Sequence, residues 1–483
     1  MTDERTRRSL ASGRARRALA VLAATLFVVS VLSTSVTAEG APTRPSSDGS
    51  APSATENGTV ASVENALAFD YAFERLPERP GSVRVVVTTT VPDNVTRVTV
   101  SPPDGATVTG TVGYDDDTGP DEWVWERTAG ATATMTYVVN VNASDDGRVE
   151  AVDTGDWALF DWRALTLHWT YTRTAGAPEP AVVERPAGTV GPGVVGTGFA
   201  YLGPYARETR IVEGETIELV VPAAADPVEA PGTVADALAT ASASLRVGAR
   251  SDRVIVYVAP APIEATGRLS QGGNVTATDV YVSADARLET ADNAWFHEYV
   301  HSRQSYEAGE NLAWVDEGTA EYYAALLAYR QGLVPADEFH AYVRTDRASD
   351  AVLAEAAPRA PASYFKGMRV VAATDAGIRT ATDGQHTLES VFRAMNAHDG
   401  PVTLDVAAGF VGDVAGERRA DRFRADVVST GAPTVPTLSR DSDDGVGSAL
   451  VEESGLGDGT VPPAGAALFV AGVVLALATL RFR

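Results

Sequence analysis

The 483-residue sequence predicts a multidomain protein: an N-terminal all-β, sandwich-like domain, an α+β domain with a mostly helical C-terminal half, and one C-terminal transmembrane helix. Three observations lead there. Short β-branched and aromatic runs separated by turn residues fill the chain from about Val60 to Thr174, which is the texture of an all-β module. From about Val182 the texture is mixed, with strands first and helices afterwards, the order of an α+β domain. Residues 464–480 carry no charge and are followed by Arg481-Phe482-Arg483, which suits a short membrane span with a cytoplasmic basic tail.

The elements follow in chain order. Residues 1–38 join a basic stretch (Arg7, Arg8, Arg14, Arg16, Arg17) to an apolar run from Ala18 to about Leu32 and small residues ending at Ala38, a signal peptide or N-terminal anchor. Residues 39–60, rich in Ser, Pro, Gly, Thr and Ala, read as a disordered linker. Within the β-sandwich domain, 61–178, strands are expected at 83–90, 95–100, 134–141 and 165–172. Its Trp123, Trp125, Trp162 and Trp169 stand at alternating positions and suit a core better than a carbohydrate platform. The next domain, 182–430, is expected to place strands near 217–221, 254–258 and 279–282 around an alanine-rich helix at 233–245. The last of these strands would be an edge on which extended substrate pairs. Helices are expected at 293–303, 314–330, 336–343, 362–378 and 388–396. Residues 431–463 read as a stalk linker before the span at 464–480.

Composition excludes several functions. Acidic residues number 64 against 39 basic ones, a formal charge of -25, so nucleic acid is not expected as a partner. Lys366 is the only lysine, and this acid-rich, lysine-poor balance resembles that of proteins from extreme halophiles. With no cysteine, neither a disulfide nor a thiolate nucleophile or metal site can form.

The chemistry concentrates at Trp295-Phe296-His297-Glu298-Tyr299-Val300-His301. On a helix, residues i and i+4 share a face, so the imidazoles of His297 and His301 can grip one metal ion. Glu298 is turned aside, where its carboxylate can take a proton from a metal-bound water. A catalytic zinc site needs a third protein donor, and a second helix begins with Trp314-Val315-Asp316-Glu317-Gly318-Thr319-Ala320-Glu321-Tyr322-Tyr323. If Glu317 is that donor, Glu321 lies one turn along, placed to accept the spare N–H of a ligating imidazole, His297 by preference.

These residues resemble the gluzincin metallopeptidases, and within them the aminopeptidase N and glycyl aminopeptidase families. The likeness is carried by HEYVH at 297–301, WVDEGTAEYY at 314–323 and Tyr364-Phe365-Lys366-Gly367. It spans about residues 190–430 in order of elements and is sharp over 295–380. The resemblance implies a thermolysin-like catalytic domain behind an N-terminal β-domain, with Zn2+ held by His297, His301 and Glu317. It also implies Glu298 as general base and Tyr364 as hydroxyl donor to the oxyanion. Two departures stand out. The spacer between His301 and Glu317 is shorter than these families carry, and the stretch Gln271-Gly272-Gly273-Asn274-Val275-Thr276 has no glutamate in register for a substrate's amino group. Internal cleavage therefore stands beside end-trimming. The expected protein is a zinc metallopeptidase on a peptide or protein substrate, single-pass in the cell membrane through its C-terminal helix with the catalytic domain extracellular. The alternatives are an inactive cell-surface binding module and a zinc hydrolase of a non-peptide bond.

Overall fold

The computed structural model describes residues 65–115, 121–145, 147–263, 268–270 and 277–438. The expected signal segment, the linker at 39–60, the Gln271–Thr276 stretch and all residues beyond 438 lie outside them.

Alternation builds the first part of the chain. In Ser82–Thr90, Val83, Val85 and Val87 are fully buried while Thr88 and Thr90 face water. This strand sits in a five-stranded sheet ordered Ala181–Val190, Ala66–Arg75, Ser82–Thr90, Thr132–Asn140 and Thr107–Val112. A three-stranded sheet, His168–Arg173, Val95–Ser101 and Trp123–Glu126, closes over the same core. Trp125 and Trp162 are buried in that core, and Trp123 and Trp169 pack against its margin. Two sheets enclosing one apolar layer make the sandwich.

A third sheet uses the two-residue period to face two ways. Its order is Gly193–Val195, Phe199–Leu202, Ala158–Asp161, Arg148–Asp153 and Ala143–Asp145. Ala158, Phe160, Ala200 and Leu202 join the sandwich core, whereas Leu159, Phe199 and Tyr201 pack on Val220, Ile255, Tyr257 and Tyr281 of a fourth sheet. That sheet is ordered Tyr205–Val212, Glu215–Pro222, Arg253–Ala259, Ala277–Ser283 and Arg268–Ser270, its three middle strands parallel. Being covered on both faces, the middle strands read as near-continuous apolar runs. The strand Ala277–Ser283 pairs on both sides, with Arg268–Ser270 lying along its Asp279–Tyr281 stretch. The edge is therefore Arg268–Ser270 and not the strand expected from the sequence.

Eight α-helices follow in the described residues: α1 (Pro231–Ser244), α2 (Ala294–His301), α3 (Val315–Arg330), α4 (Ala336–Val343), α5 (Pro361–Ala381), α6 (Leu388–Asn396), α7 (Leu404–Ala415) and α8 (Glu417–Val428). Helix α3 is buried almost throughout, with Asp316, Glu317 and Glu321 lining a cleft. It lies in one core with α1, α2, α5 and one face of the fourth sheet. Past α8 the chain folds back on the helices: Val435 and Leu438 are buried, Arg344 donates to Val435 O and Arg369 to Pro433 O.

No helix among the described residues is long and apolar enough to cross a membrane. This overturns the transmembrane helix in the expected fold class, and with it the single-pass cell-membrane location and the membrane as a partner. The segment 464–480 on which that expectation stood lies outside the described residues. Charge is what keeps the described helices from qualifying. Helix α5, the longest described, carries Lys366, Arg369, Asp375 and Arg379, and α3 carries Asp316, Glu317, Glu321 and Arg330.

Candidate metal centre

Helix α2 begins because Asn293 caps it. The Asn293 side chain accepts from Phe296 N at 3.0 Å and donates to Leu288 O at 2.7 Å. Trp295, Phe296, Tyr299 and Val300 then face the core, leaving His297 and His301 on the other side, where they line a cleft of about 1160 Å³. At the other end of the helix Arg303 is buried and donates to the carbonyls of Ser242, Leu245 and Ala249, tying α2 to the end of α1. Helix α3 starts at the cleft with Asp316 and Glu317 in its first turn, where the helix dipole favours negative charge.

Three donor atoms meet there. His297 Nε2 lies 3.1 Å from His301 Nε2 and 3.2 Å from Glu317 Oε2, and His301 Nε2 lies 3.4 Å from the same oxygen. Ligands about 2.0–2.1 Å from one zinc ion at tetrahedral angles stand about 3.3 Å apart, so this triangle fits zinc. Both rings present Nε2 to the centre because each Nδ1 is held elsewhere. His297 Nδ1 is 2.8 Å from Glu321 Oε2, and His301 Nδ1 is 2.6 Å from Gln304 Oε1. A Glu298 carboxylate oxygen stands with the two imidazoles, all within 4.8 Å of one another. The Tyr364 ring stacks on His297 with centroids 6.0 Å apart.

Carboxylates crowd the centre, answered by the two imidazoles and by Arg359, 3.9 Å from Glu317. Glu298, Glu317 and Glu321 are all buried around two imidazoles, and buried carboxylates without a positive partner are costly. Burial alone would lower the His297 pKa, but hydrogen bonds to Glu317 and Glu321 outweigh it and raise it well above the ordinary value. His301 is raised by the same contest, chiefly through Glu317. In turn Glu317 is pushed up by burial yet held far below the usual carboxylate range by both imidazoles. Glu298 differs: burial raises it, and His301 and His297 offset only part of that rise. Burial, and then Glu317, raise the Tyr364 phenol, which stays protonated.

No protein-family model and no curated protein matches the sequence. Among solved structures, the chain is similar to an aminopeptidase N family protein from Idiomarina loihiensis, with a TM-score of 0.54 at 13% identity over 76% of this chain and 77% of that one. The two share a fold. An M1 zinc metallopeptidase from Deinococcus radiodurans is also found, with a TM-score of 0.49 at 14% identity, covering 77% of this chain and 96% of that one.

His297, Glu298, His301, Glu317, Glu321 and Tyr364, singled out in the sequence, thus line one cleft. Lys366 does not: it is buried away from it and donates to Ala351 O and Ser429 O at 2.5 and 2.6 Å. His340 is likewise occupied, with Nδ1 on Ala336 O and Nε2 accepting from Leu438 N. Sequence reasoning missed Gln304 as a partner of His301, and it missed Tyr342, whose hydroxyl donates to Glu321 Oε1. Gln304 had a signal, being three residues past His301 on a continuing turn. Tyr342 had none, because it arrives from α4. The far wall of the cleft also comes from a distance, with Glu150, Asp161 and Arg163 of the third sheet and the turn after it.

Proposed function

We propose that this chain is a zinc metallopeptidase that hydrolyses peptide bonds, with His297, His301 and Glu317 as metal ligands. The observation that carries the reading is the triangle of Nε2, Nε2 and Oε2 atoms with a fourth, unligated carboxylate beside it. A site built only for structure would close its fourth position and needs no such carboxylate. The fold shared with an aminopeptidase N family protein supports the same chemistry.

When bound, zinc supplies Lewis-acid polarisation of a carbonyl and a lowered pKa for water in the site. The rest is the work of the chain's own groups. Glu298 accepts the proton of the attacking water and returns it to the departing amine; its burial-raised pKa makes it a better base than a solvated carboxylate. Tyr364 keeps its proton and donates a hydrogen bond to the oxygen that becomes negative. Glu321 accepts from His297 Nδ1 and fixes that ring. A peptide lies in the cleft between the helical part and the third sheet, cut at its end or within.

The test is Glu298→Gln. The variant is expected to keep its zinc and to lose turnover of a mixed peptide library by about 10²–10⁴-fold. Near-normal hydrolysis in the variant would remove Glu298 from the role, and hydrolysis that survives a chelator would remove the metal. A library left uncut by the zinc-loaded wild type would point instead to another substrate bond.

A further inference from the structure

We infer that Gln304 is a positioning residue for the metal centre: its amide holds His301 with Nε2 facing the metal and ties that ring to the helix carrying Glu317. This rests on the zinc reading above. Gln304 lies just past α2 and is only 9% exposed, so each of its polar atoms needs a partner. Its Oε1 is 2.6 Å from His301 Nδ1, and its Nε2 donates to Asp316 O and to Thr319 Oγ1, both at 2.8 Å.

The polarity of this network is determined. Asp316 O can only accept. The Thr319 hydroxyl gives its own hydrogen to Val315 O at 2.7 Å, so Oγ1 is an acceptor toward Gln304. Both contacts therefore require the NH2 end of the amide, which turns Oε1 toward the imidazole. Since Oε1 has no hydrogen, Nδ1 of His301 must carry one, so in the neutral ring, the form a metal takes, the lone pair is on Nε2, 3.1 Å from His297 Nε2.

The same amide joins the two ends of the spacer. One end is the ligand His301; the other is the first turn of α3, gripped at Asp316 and Thr319 on either side of Glu317. A glutamate at 304 would hold the ring but offer no hydrogen to Asp316 O or Thr319 Oγ1. His297 is served differently, by the carboxylate of Glu321 backed by Tyr342. One ligating ring thus leans on a charged acceptor and the other on a neutral one.

The test uses the full-length chain with Gln304→Met, which keeps the length but no polarity, and Gln304→Glu, which keeps the acceptor. Zinc affinity is read by competition with a chromophoric chelator, and the His301 tautomer by ¹⁵N shifts of the metal-free protein, followed up in pH until the ring is neutral. Gln304→Met is expected to bind zinc about 10–100-fold more weakly and to mix the two tautomers. Gln304→Glu is expected to restore the Nδ1–H form and recover part of the affinity. A Gln304→Met protein with wild-type affinity and an unchanged tautomer overturns the inference. So does a loss that Gln304→Glu does not relieve, since that marks mere packing. A wild-type chain that takes up no zinc overturns the zinc reading and this inference together.

Discussion

His297 and His301 sit one turn apart on α2, yet each draws its charge from residues on other segments, and this makes metal uptake a proton-coupled event. In the metal-free protein both imidazoles have pKa values above the ordinary 6.5, because the carboxylates around them outweigh burial. For a group raised in this way, the stabilisation is fully present below 6.5 and is lost as pH rises through the folded-state value. With both Nε2 atoms as the proposed ligands, zinc entry at neutral pH displaces protons. The expected outcome is a calorimetric binding enthalpy that varies with the ionisation enthalpy of the buffer, and an apparent zinc affinity that climbs with pH from 6 to 8. A buffer-independent enthalpy and a flat profile would contradict these surroundings. The pairing of His297 with His301 was legible in the sequence because i and i+4 on one helix is a local relation, and so is the step from Glu317 to Glu321. The network around it was not: Tyr342 reaches Glu321 only because α4 packs beside α3.

Between helices, the decisive contact has no side chains in it. Gly318 of α3 faces Gly367 of α5, and a Cβ on Gly318 would stand 2.9 Å from the Gly367 carbonyl carbon and 3.1 Å from the Trp314 ring. Each glycine adjoins a site residue in sequence: Gly318 follows Glu317, and Gly367 is three past Tyr364. The close approach of α3 and α5 is thus what lets Glu317 and Tyr364 share one cleft. Gly318→Ala is expected to force the helices apart, costing about 1–3 kcal/mol in denaturant unfolding. It should also lower peptide turnover more than it lowers zinc content, because Tyr364 moves with α5. Unfolding and turnover at wild-type levels would show that the helices yield without consequence. Both glycines belong to recognisable motifs, but a motif does not say that they touch each other. Helices α7 and α8 also went unread; α8 buries only Ala420, Phe423 and Val427, an i, i+3, i+7 stripe among seven charged residues.

At the scale of the whole molecule, strand and helix textures marked the order of the architecture, while the seating of its parts depended on pairings remote in sequence. Asp279 illustrates this: buried in the fourth sheet, it accepts from Thr197 N and Oγ1 and from the backbone of Gly198 and Phe199, holding the third sheet against it. Nothing around Asp279 in the sequence announces those partners, because they lie about eighty residues upstream. The chain that folds this way carries a formal charge of -25, and its ion pairs do not absorb that excess, since each pair consumes one charge of either sign. Compaction brings the surplus carboxylates closer, so self-repulsion opposes folding at low ionic strength. Salt shortens the range of that repulsion, from about 10 Å at 0.1 M to about 3 Å at 1 M. Salt also weakens exposed pairs such as Arg424 with Asp405 and Asp421, but pairs of that kind contribute only about 0–1 kcal/mol each. The repulsive term is therefore expected to govern, and the melting temperature should rise by at least about 1–2 °C between 0.1 and 1 M KCl, the shift that about 1 kcal/mol gives a folded unit of this size. A neutral osmolyte at matched osmolality serves as the control, because it strengthens apolar burial without screening charge. A melting temperature that falls with KCl, or that rises equally with the osmolyte, would mean that the surplus charge does not limit stability.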